Sequence, residues 1–159
     1  MRFLFLVLSV AALAGCQSVS QPRPATSEVA EATGAWVAAF NSCDATAAAS
    51  LYQPDAVLWG TVSSSIISTK AGIQQYFERA CASNPQPKVA LGEQLVRVYG
   101  DTAISSGSYT FTVFVGGQAR QFAARNSFTY RRNEGRWLIV DHHSSAAPPQ
   151  SQQASTPSR

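Results

Sequence analysis

The sequence predicts an α+β domain in which a curved antiparallel sheet, a four-strand meander preceded by short strands, wraps over a long N-terminal helix, with two further helices. One observation is the helical spacing of core-type residues at Val29, Thr33, Trp36 and Phe40. A second is the change from Lys88 onward to four long strand-like runs separated by hairpin turns that contain glycine. Helices first and a meander last is the order expected when a helical layer packs on one sheet.

Local patterns place each element along the chain. Ser27 is a candidate N-cap for the first helix, and the acidic residues after it suit the helix dipole. Asp44 and Thr69 are candidate N-caps for the second and third helices. The predicted elements are, in order, a helix from Ser27 to Asn41-Ser42-Cys43-Asp44, a helix from Asp44 to Leu51, extended segments Ala56–Gly60 and Ser63–Ser68, a helix from Thr69 to Asn84-Pro85, and strands Lys88–Tyr99, Thr102–Val115, Gln118–Arg131 and Arg136–Ser144.

The N-terminus has the pattern of a secretory signal. Arg2 precedes an apolar run, and small residues lead to Leu13-Ala14-Gly15-Cys16, a segment too short to span a membrane. Leu-Ala-Gly-Cys resembles the lipobox of bacterial lipoproteins, which implies that Cys16 is diacylated and becomes the mature N-terminus. Gln17 at the next position then implies the outer membrane, facing the periplasm. The alternative is an ordinary signal peptide with a cysteine nearby by chance.

The chain is expected to divide into four parts. Residues 1–15 form the signal peptide, and residues 16–26, rich in Ser, Gln and Pro, form a flexible tether. Residues 27–147 form one domain with a single core, and residues 148–159 form a disordered tail. Charged residues are 13% of the chain, the formal net charge is +3, and the lysines are limited to Lys70 and Lys88. Without a basic stripe, nucleic acid is not an expected partner.

Three stretches resemble a known superfamily. The run Gly135-Arg136-Trp137-Leu138-Ile139-Val140-Asp141-His142-His143-Ser144-Ser145 resembles the last strand of the calcium/calmodulin-dependent kinase II association domain and its bacterial relatives. These relatives are the SnoaL-like and SgcJ/EcaC groups of the nuclear transport factor 2-like superfamily. Residues 54–61 and 71–77 look like the SgcJ/EcaC group in particular. The resemblance implies a cone-shaped fold with a ligand pocket between the helices and the concave face of the sheet.

The pocket residues follow from setting the strand from Arg120 to Tyr130 against the association domain and applying strand alternation. The predicted ligand-binding residues are Trp59, Ser108, Thr110, Asn126, Phe128, Tyr130, His142 and Ser144, joined by Ser106. The residues expected on the convex face are Arg125, Asp141, His143 and Trp137. The association domain holds small carboxylates with arginines, and here Ser108, Phe128 and Ser144 stand at the matching positions. The resemblance therefore implies a neutral, partly aromatic pocket. Core packing is the alternative for Trp59.

The pair His142-His143 raises the question of a metal or acid–base site. Adjacent strand residues point to opposite faces, so the two histidines are not expected to share a metal ion. His142 alone, at a pocket mouth and titrating near neutrality, is a candidate general base or polar ligand contact. The alternative is a structural histidine bonded at a strand end.

An apolar stripe on one strand predicts a partner. Tyr109, Phe111 and Val113 alternate with hydroxyl residues and are placed on the convex face with Trp137, so a homodimer through this face is expected.

Once Cys16 is acylated, Cys43 and Cys81 remain as an even pair in an oxidising compartment, which favours a disulfide. The alternative is two small buried thiols.

Two classes of function fit these features. The first is a lipid-anchored periplasmic module that binds a small molecule or oligomerises, similar to the association domain. The second is a SnoaL-like cyclase, isomerase or dehydratase with His142 or Asp55 as base and Tyr130 or Tyr76 as donor. No convincing pair of base and donor is evident, so the sequence favours the binding module. The chain has no GxGxxG or Cys-x-x-Cys motif, and no cofactor is expected.

Overall fold

The structure, a computed structural model, describes residues 23–84 and 86–148. The predicted signal peptide, Cys16, the tether up to residue 22 and the tail from residue 149 lie outside the described residues. The elements are α1 Ala25–Asn41, α2 Ala45–Ser50, β1 Tyr52–Trp59, α3 Lys70–Ser83, β2 Lys88–Tyr99, β3 Thr102–Val115, β4 Gln118–Asn133 and β5 Arg136–Ala146. The predicted α+β class is confirmed.

A five-stranded sheet in the order β1-β5-β4-β3-β2 forms one layer of the fold. Strands β2 to β5 form the predicted antiparallel meander. Strand β1 runs parallel to β5 at the opposite edge from β2, a pairing that the sequence did not predict. The predicted segment Ser63–Ser68 is not a strand, and within it Ile67 forms a single bridge to Leu58. Helix α1 contacts β2, β3 and β5, while α3 contacts α2 and β1. The helices therefore cover one face of the sheet, called here the inner face.

Proline and short polar side chains set the helix starts. Helix α1 begins at Ala25, two residues before the predicted start, because the carbonyl of Pro24 already accepts a 2.9 Å hydrogen bond from the Ser27 amide. The domain therefore begins inside the predicted tether 16–26. Asp44 and Thr69 cap α2 and α3 as predicted, by accepting backbone N–H bonds of 2.8 and 3.1 Å.

The face assignment on β3 corrects the sequence prediction. Tyr109 and Phe111 lie against the helices and are 1% and 8% exposed. Ser108 and Thr110 lie on the outer face instead, the face that the helices leave uncovered. The alternation along β3 shows which residues share a face, but it does not show which face of the sheet that is. The register that pairs Tyr109 with Ala124 of β4 determines the face. The apolar stripe predicted for the convex face is therefore part of the core.

A bulge in β5 accounts for a second correction. The register between β4 and β5 shifts after Thr129 and leaves Val140 without a partner. Trp137 consequently lies on the inner face, as His142 does, and not on the convex face as predicted. The Trp137 indole N–H donates to the carboxylate of Glu28 on α1 over 3.1 Å.

Trp36 of α1 lies at the centre of the core. Its ring centroid is within 6.1 Å of those of five other rings, Phe40, Phe77, Tyr109, Phe128 and His142. Aromatic rings from α1, from α3 and from three strands therefore meet at one residue.

A disulfide joins Cys43, just after α1, to Cys81 near the end of α3, with Cα atoms 5.8 Å apart. The bridge connects the end of α1 to α3.

Candidate ligand-binding cavity

A cavity of about 630 Å³ lies between α1, α3 and the inner face of the sheet. Small-molecule sites commonly have volumes of roughly 300–1,000 Å³. Much of its wall is aromatic, from Trp36, Phe40, Tyr76, Phe77, Tyr109, Phe111 and Phe122. Its polar lining is mostly hydroxyl groups, from Thr61, Ser63, Ser64, Ser65, Ser83 and Ser144, together with His142, Asn84 and Arg79. Such a lining suits a largely apolar ligand that carries a few polar groups.

The structure brings part of the predicted ligand-binding set to this cavity. His142 and Ser144 line it. Asn126, Phe128 and Tyr130 are buried on the same inner face but lie outside the lining. The prediction of their face was correct, while the cavity lies nearer to α3 than the sequence indicated.

Five candidate residues lie away from the cavity. Ser106, Ser108 and Thr110 are on the outer face because of the β3 register. Trp59 is 44% exposed on that face, where β1 pairs it with the outward-pointing His143. It is therefore neither a pocket wall nor a core residue. Asp55 is an exposed residue of β1 and does not reach the cavity.

Helix α3 supplies a wall that the sequence analysis identified only in part. Tyr76, a candidate donor, lines the cavity together with Phe77 and with Ala80 one turn further on. Ala80 follows Tyr76 by four residues and Phe77 by three, a spacing that places them on one helix face, whereas the predicted ligand-binding residues come from strands. The exposed Arg79 also lines the cavity. The sequence predicted a pocket without a cation. This prediction is wrong because it considered only strand positions, whereas Arg79 lies on helix α3.

A hydrogen-bond chain connects α1, β1 and β5. The indole N–H of Trp36 donates to the hydroxyl of Tyr52 over 3.0 Å, and this hydroxyl lies 2.8 Å from Nδ1 of His142. An indole nitrogen can only donate, so Tyr52 accepts from Trp36 and directs its own proton to Nδ1. The sequence analysis missed Tyr52 because it started the strand at Ala56. Tyr52, Ala56 and Leu58 are separated by even numbers of residues, so they share one face of a strand, and this pattern could have identified Tyr52.

Burial decides the protonation of His142. The ring is 3% exposed and stacks on Phe128, with centroids 3.9 Å apart. Desolvation, reinforced by the nearby His143, lowers the pKa of His142 to about 3. The prediction of titration near neutrality at a pocket mouth is therefore wrong, because the ring lies within the wall. With Nδ1 bonded to Tyr52 and the proton on Nε2, the imidazole is a neutral donor.

Three hydroxyl groups meet at the cavity wall. Thr61 Oγ1 and Ser144 Oγ are hydrogen bonded to each other, and the Tyr109 hydroxyl lies near both. Burial raises the pKa of Tyr109 well above its usual range in spite of these neighbouring hydroxyl groups. The cluster therefore offers neutral donors and acceptors at pH 7.

Tyr130, predicted as a ligand contact and a catalytic donor, has a structural role in the described contacts. Its hydroxyl lies 2.8 Å from Thr33 Oγ1, which itself donates to the carbonyl of Val29 over 3.0 Å. Tyr130 therefore donates to Thr33 and ties β4 to α1. Burial raises the pKa of Tyr130.

Alternation separates His142 from His143. The first is buried on the inner face and the second exposed on the outer face, together with Arg125 and Asp141, as expected. In the part of the chain that the structure describes, no three His, Cys, Asp or Glu side chains converge as metal ligands do. Among the same residues, no helix has the length and apolar character needed to cross a membrane.

The chain is similar in sequence to a known association domain. The family model described as the calcium/calmodulin dependent protein kinase II association domain matches residues 25–148. A crystal structure from Xanthomonas campestris, of a protein assigned to that domain, is 37% identical with a TM-score of 0.71. The alignment covers 77% of this chain and 87% of that chain.

Two further solved structures share the fold. An NTF2-like protein with a cystatin-like fold from Novosphingobium aromaticivorans is 22% identical with a TM-score of 0.67, over 79% of this chain and 83% of that chain. A protein of the NTF2-like family from Streptomyces avermitilis, named as a dehydratase, is 19% identical with a TM-score of 0.69, over 77% and 96%. No curated protein matches the chain. The chain has the NTF2-like fold and belongs to the calcium/calmodulin dependent protein kinase II association domain family.

Proposed function

We propose that this protein is a lipid-anchored module of the bacterial cell envelope that binds a small, largely apolar molecule and associates with itself. The observation that carries the proposal is the 630 Å³ cavity, whose wall combines aromatic rings with hydroxyl and imidazole groups and the guanidinium of Arg79. Rings stack on such a wall, and the few polar groups orient them.

A cofactor-free cyclase, isomerase or dehydratase is the alternative. Each of these reactions needs a base within hydrogen-bonding reach of the substrate. The described residues that line the cavity include no carboxylate. Asp55 is exposed outside the cavity, and both nitrogens of His142 are unsuited to accept a proton, one bonded by Tyr52 and the other protonated. These observations favour binding over turnover.

Ligand binding is tested with two alanine-to-phenylalanine variants of the same helix. Ala80 lines the cavity, whereas Ala82, two residues further along α3, is exposed and does not. Neutral aromatic compounds should raise the melting temperature of the wild type and of Ala82→Phe. Ala80→Phe, which fills the cavity, should respond to none of them. Equal responses of the two variants would place binding outside the cavity, and turnover of a compound without stable binding would favour the enzyme.

Self-association is proposed through the outer face of the sheet. One row of paired residues crosses all five strands of this face, Trp59, His143, Ser127, Ser106 and Leu95. The row has small hydroxyl residues at its centre and exposed apolar residues at its ends, where Trp59 is 44% and Leu95 60% exposed. Small central side chains permit close approach of a second sheet, and the apolar ends are covered by it.

Light scattering tests this surface. The wild type should have at least twice the monomer mass, and Leu95→Arg should reduce it to the monomer. Gln75→Arg adds the same charge on an exposed position of α3 and should leave the mass unchanged. A monomeric wild type would refute self-association. Phe111→Arg is unsuitable as a probe because Phe111 belongs to the core.

The lipid anchor is proposed at Cys16. The lipobox Leu13-Ala14-Gly15-Cys16 supports it, and Gln17 supports the outer membrane as the destination. An anchor of this kind would hold the domain on the periplasmic side, where the cavity would meet molecules that have crossed the outer membrane.

A further inference from the structure

The lining of the cavity changes in character from a buried floor to an exposed mouth. The floor consists of buried aromatic side chains, Trp36, Phe40, Phe77, Tyr109 and Phe111. The mouth consists of lining residues that are exposed, Val62, Ser64, Ser65, Arg79, Ser83 and Phe122. A ligand that fills the cavity therefore has one end among aromatic rings and the other near hydroxyl groups and a guanidinium group.

Arg79 brings a positive charge to this mouth. Among the described residues, it is the one charged side chain in the lining, and it forms no salt bridge with any of them. Glu78, the acidic residue beside it on α3, accepts a 2.9 Å hydrogen bond from Gln74 one turn earlier, and neither of these two lines the cavity. No acidic side chain of the described lining therefore offsets the charge of Arg79 toward a bound ligand.

The charge of Arg79 acts on the cavity wall. Burial raises the pKa of Tyr76, a lining residue, and the nearby positive charge of Arg79 opposes this rise. A charge that favours the ionised form of a wall residue also favours an anion bound beside that wall. Ser83 follows Arg79 by four residues, so its hydroxyl lies on the same face of α3. The carbonyl groups at the end of α3 carry roughly half a negative charge, which a full guanidinium charge exceeds.

We propose that the cavity binds aromatic anions, with the ring on the floor and a sulfonate, phosphate or carboxylate group at the mouth, where the guanidinium group of Arg79 pairs with it. The inference rests on the proposed binding function and adds the chemical class of the ligand. The contact is not the one that the resemblance in sequence implied, since Ser108, Phe128 and Ser144 stand at the strand positions that match the arginines of the association domain.

Solvation determines which way such a ligand lies. At the exposed mouth an anionic group keeps part of its water and gains a charged partner. On the aromatic floor the same group would lose its water without a cation to compensate. A ligand with a cationic group is disfavoured, because that group would meet the like charge of Arg79 at the mouth.

Two probes of the same ring and nearly the same size test the inference on the full-length protein. At pH 7, 2-naphthalenesulfonate is an anion and 2-naphthalenesulfonamide is neutral. Calorimetric titration at low ionic strength should show about fivefold tighter binding of the sulfonate, as expected for one ion pair with an exposed arginine. The preference should disappear in about 1 M NaCl, which screens exposed charges beyond about 3 Å. Ala80→Phe, which fills the cavity, should bind neither probe.

Matched variants locate the cation. Arg79→Gln should make the two affinities equal, and Arg79→Lys, which keeps the charge, should retain most of the preference. Arg136→Gln removes the same charge from an exposed position of β5 outside the cavity and should keep the full preference. Equal affinities in the wild type, or equal losses in Arg79→Gln and Arg136→Gln, would overturn the inference while leaving the binding function intact. Failure of both probes to bind to the wild type would contradict the binding function as well.

Discussion

Tyr52 and His142 lie 90 residues apart in the sequence and are joined by a 2.8 Å hydrogen bond. The bond forms because β1 runs parallel to β5, with Leu58 paired to His142 in the sheet. The tyrosine fixes the tautomer and the orientation of an imidazole on the cavity wall. An edge strand thereby determines the chemistry of a residue on its neighbour.

Replacing Tyr52 by Phe should destabilise the fold more than replacing Tyr130 by Phe. Tyr52→Phe leaves the buried Trp36 Nε1 and His142 Nδ1 without partners, at a cost of about 1–3 kcal/mol each. Tyr130→Phe removes one bond to Thr33, whose hydroxyl keeps its bond within α1, and should cost about 1 kcal/mol. Urea unfolding gives both values. Equal losses would contradict the partner role assigned to Tyr52.

The depressed pKa of His142 predicts a loss of stability in acid. The unfolded chain takes up a proton near the ordinary pKa of 6.5, whereas the folded chain does so only near pH 3. Protonation therefore favours the unfolded state as the pH falls through this window, and the free energy of unfolding should drop by about 2 kcal/mol between pH 8 and pH 5. His142→Gln should remove this dependence, and His143→Gln should keep it. A flat wild-type profile would mean that His142 titrates normally.

Elements that depend on neighbouring residues in the sequence were predicted well. Asp44 and Thr69 cap their helices because a short side chain reaches an amide three residues on. Gly116-Gly117 makes the predicted hairpin because both residues adopt positive φ, at 57° and 78°. The strand ends of the meander follow from such turns.

Relations between distant segments were not predicted. The sequence pattern of β3 fits either face, and the pairing of Tyr109 with Ala124 decides between them. Nothing in the run around Val140 marks the bulge that turns Trp137 inward. The helix that supplies Tyr76 to the cavity is likewise placed by tertiary packing. The candidate site therefore kept His142, Ser144 and Tyr76 from the prediction and gained the rest of its helical wall from the fold.

Two glycine-to-alanine substitutions should have opposite effects. A Cβ atom at Gly60 would overlap the Tyr76 ring, which lines the cavity. Gly60→Ala should therefore displace this ring, destabilise the fold by about 1–3 kcal/mol and weaken the binding of aromatic compounds. A Cβ atom at Gly34 in α1 meets no other atom within 4 Å. Gly34→Ala should stabilise by roughly 0.5–1 kcal/mol without changing binding. Thermal unfolding with and without an aromatic compound separates the effect on stability from the effect on binding. Unchanged binding by Gly60→Ala would mean that Tyr76 is not part of the binding site.

Acylation at Cys16 is tested by metabolic labelling. Cells grown with an alkyne fatty-acid analogue should attach it to the wild type, because the thiol of a lipobox cysteine receives the diacylglyceryl group. Cys16→Ser should remain unlabelled and appear in the soluble fraction. Labelling of the two proteins to the same extent would contradict the anchor and favour an ordinary signal peptide.

Removal of the Cys43–Cys81 bridge should destabilise the domain and loosen one wall of the cavity. The bridge closes a loop of 38 residues, for which the chain-entropy model gives about 4 kcal/mol, less any strain. The double variant Cys43→Ser/Cys81→Ser should lose up to this amount and bind aromatic compounds more weakly, because the bridge connects α1 to the helix that carries Tyr76 and Ala80. A reducing agent should reproduce the loss in the wild type and leave the variant unchanged. Thiol counting on denatured, unreduced protein checks the premise, since two free thiols per chain would mean that the bridge does not form.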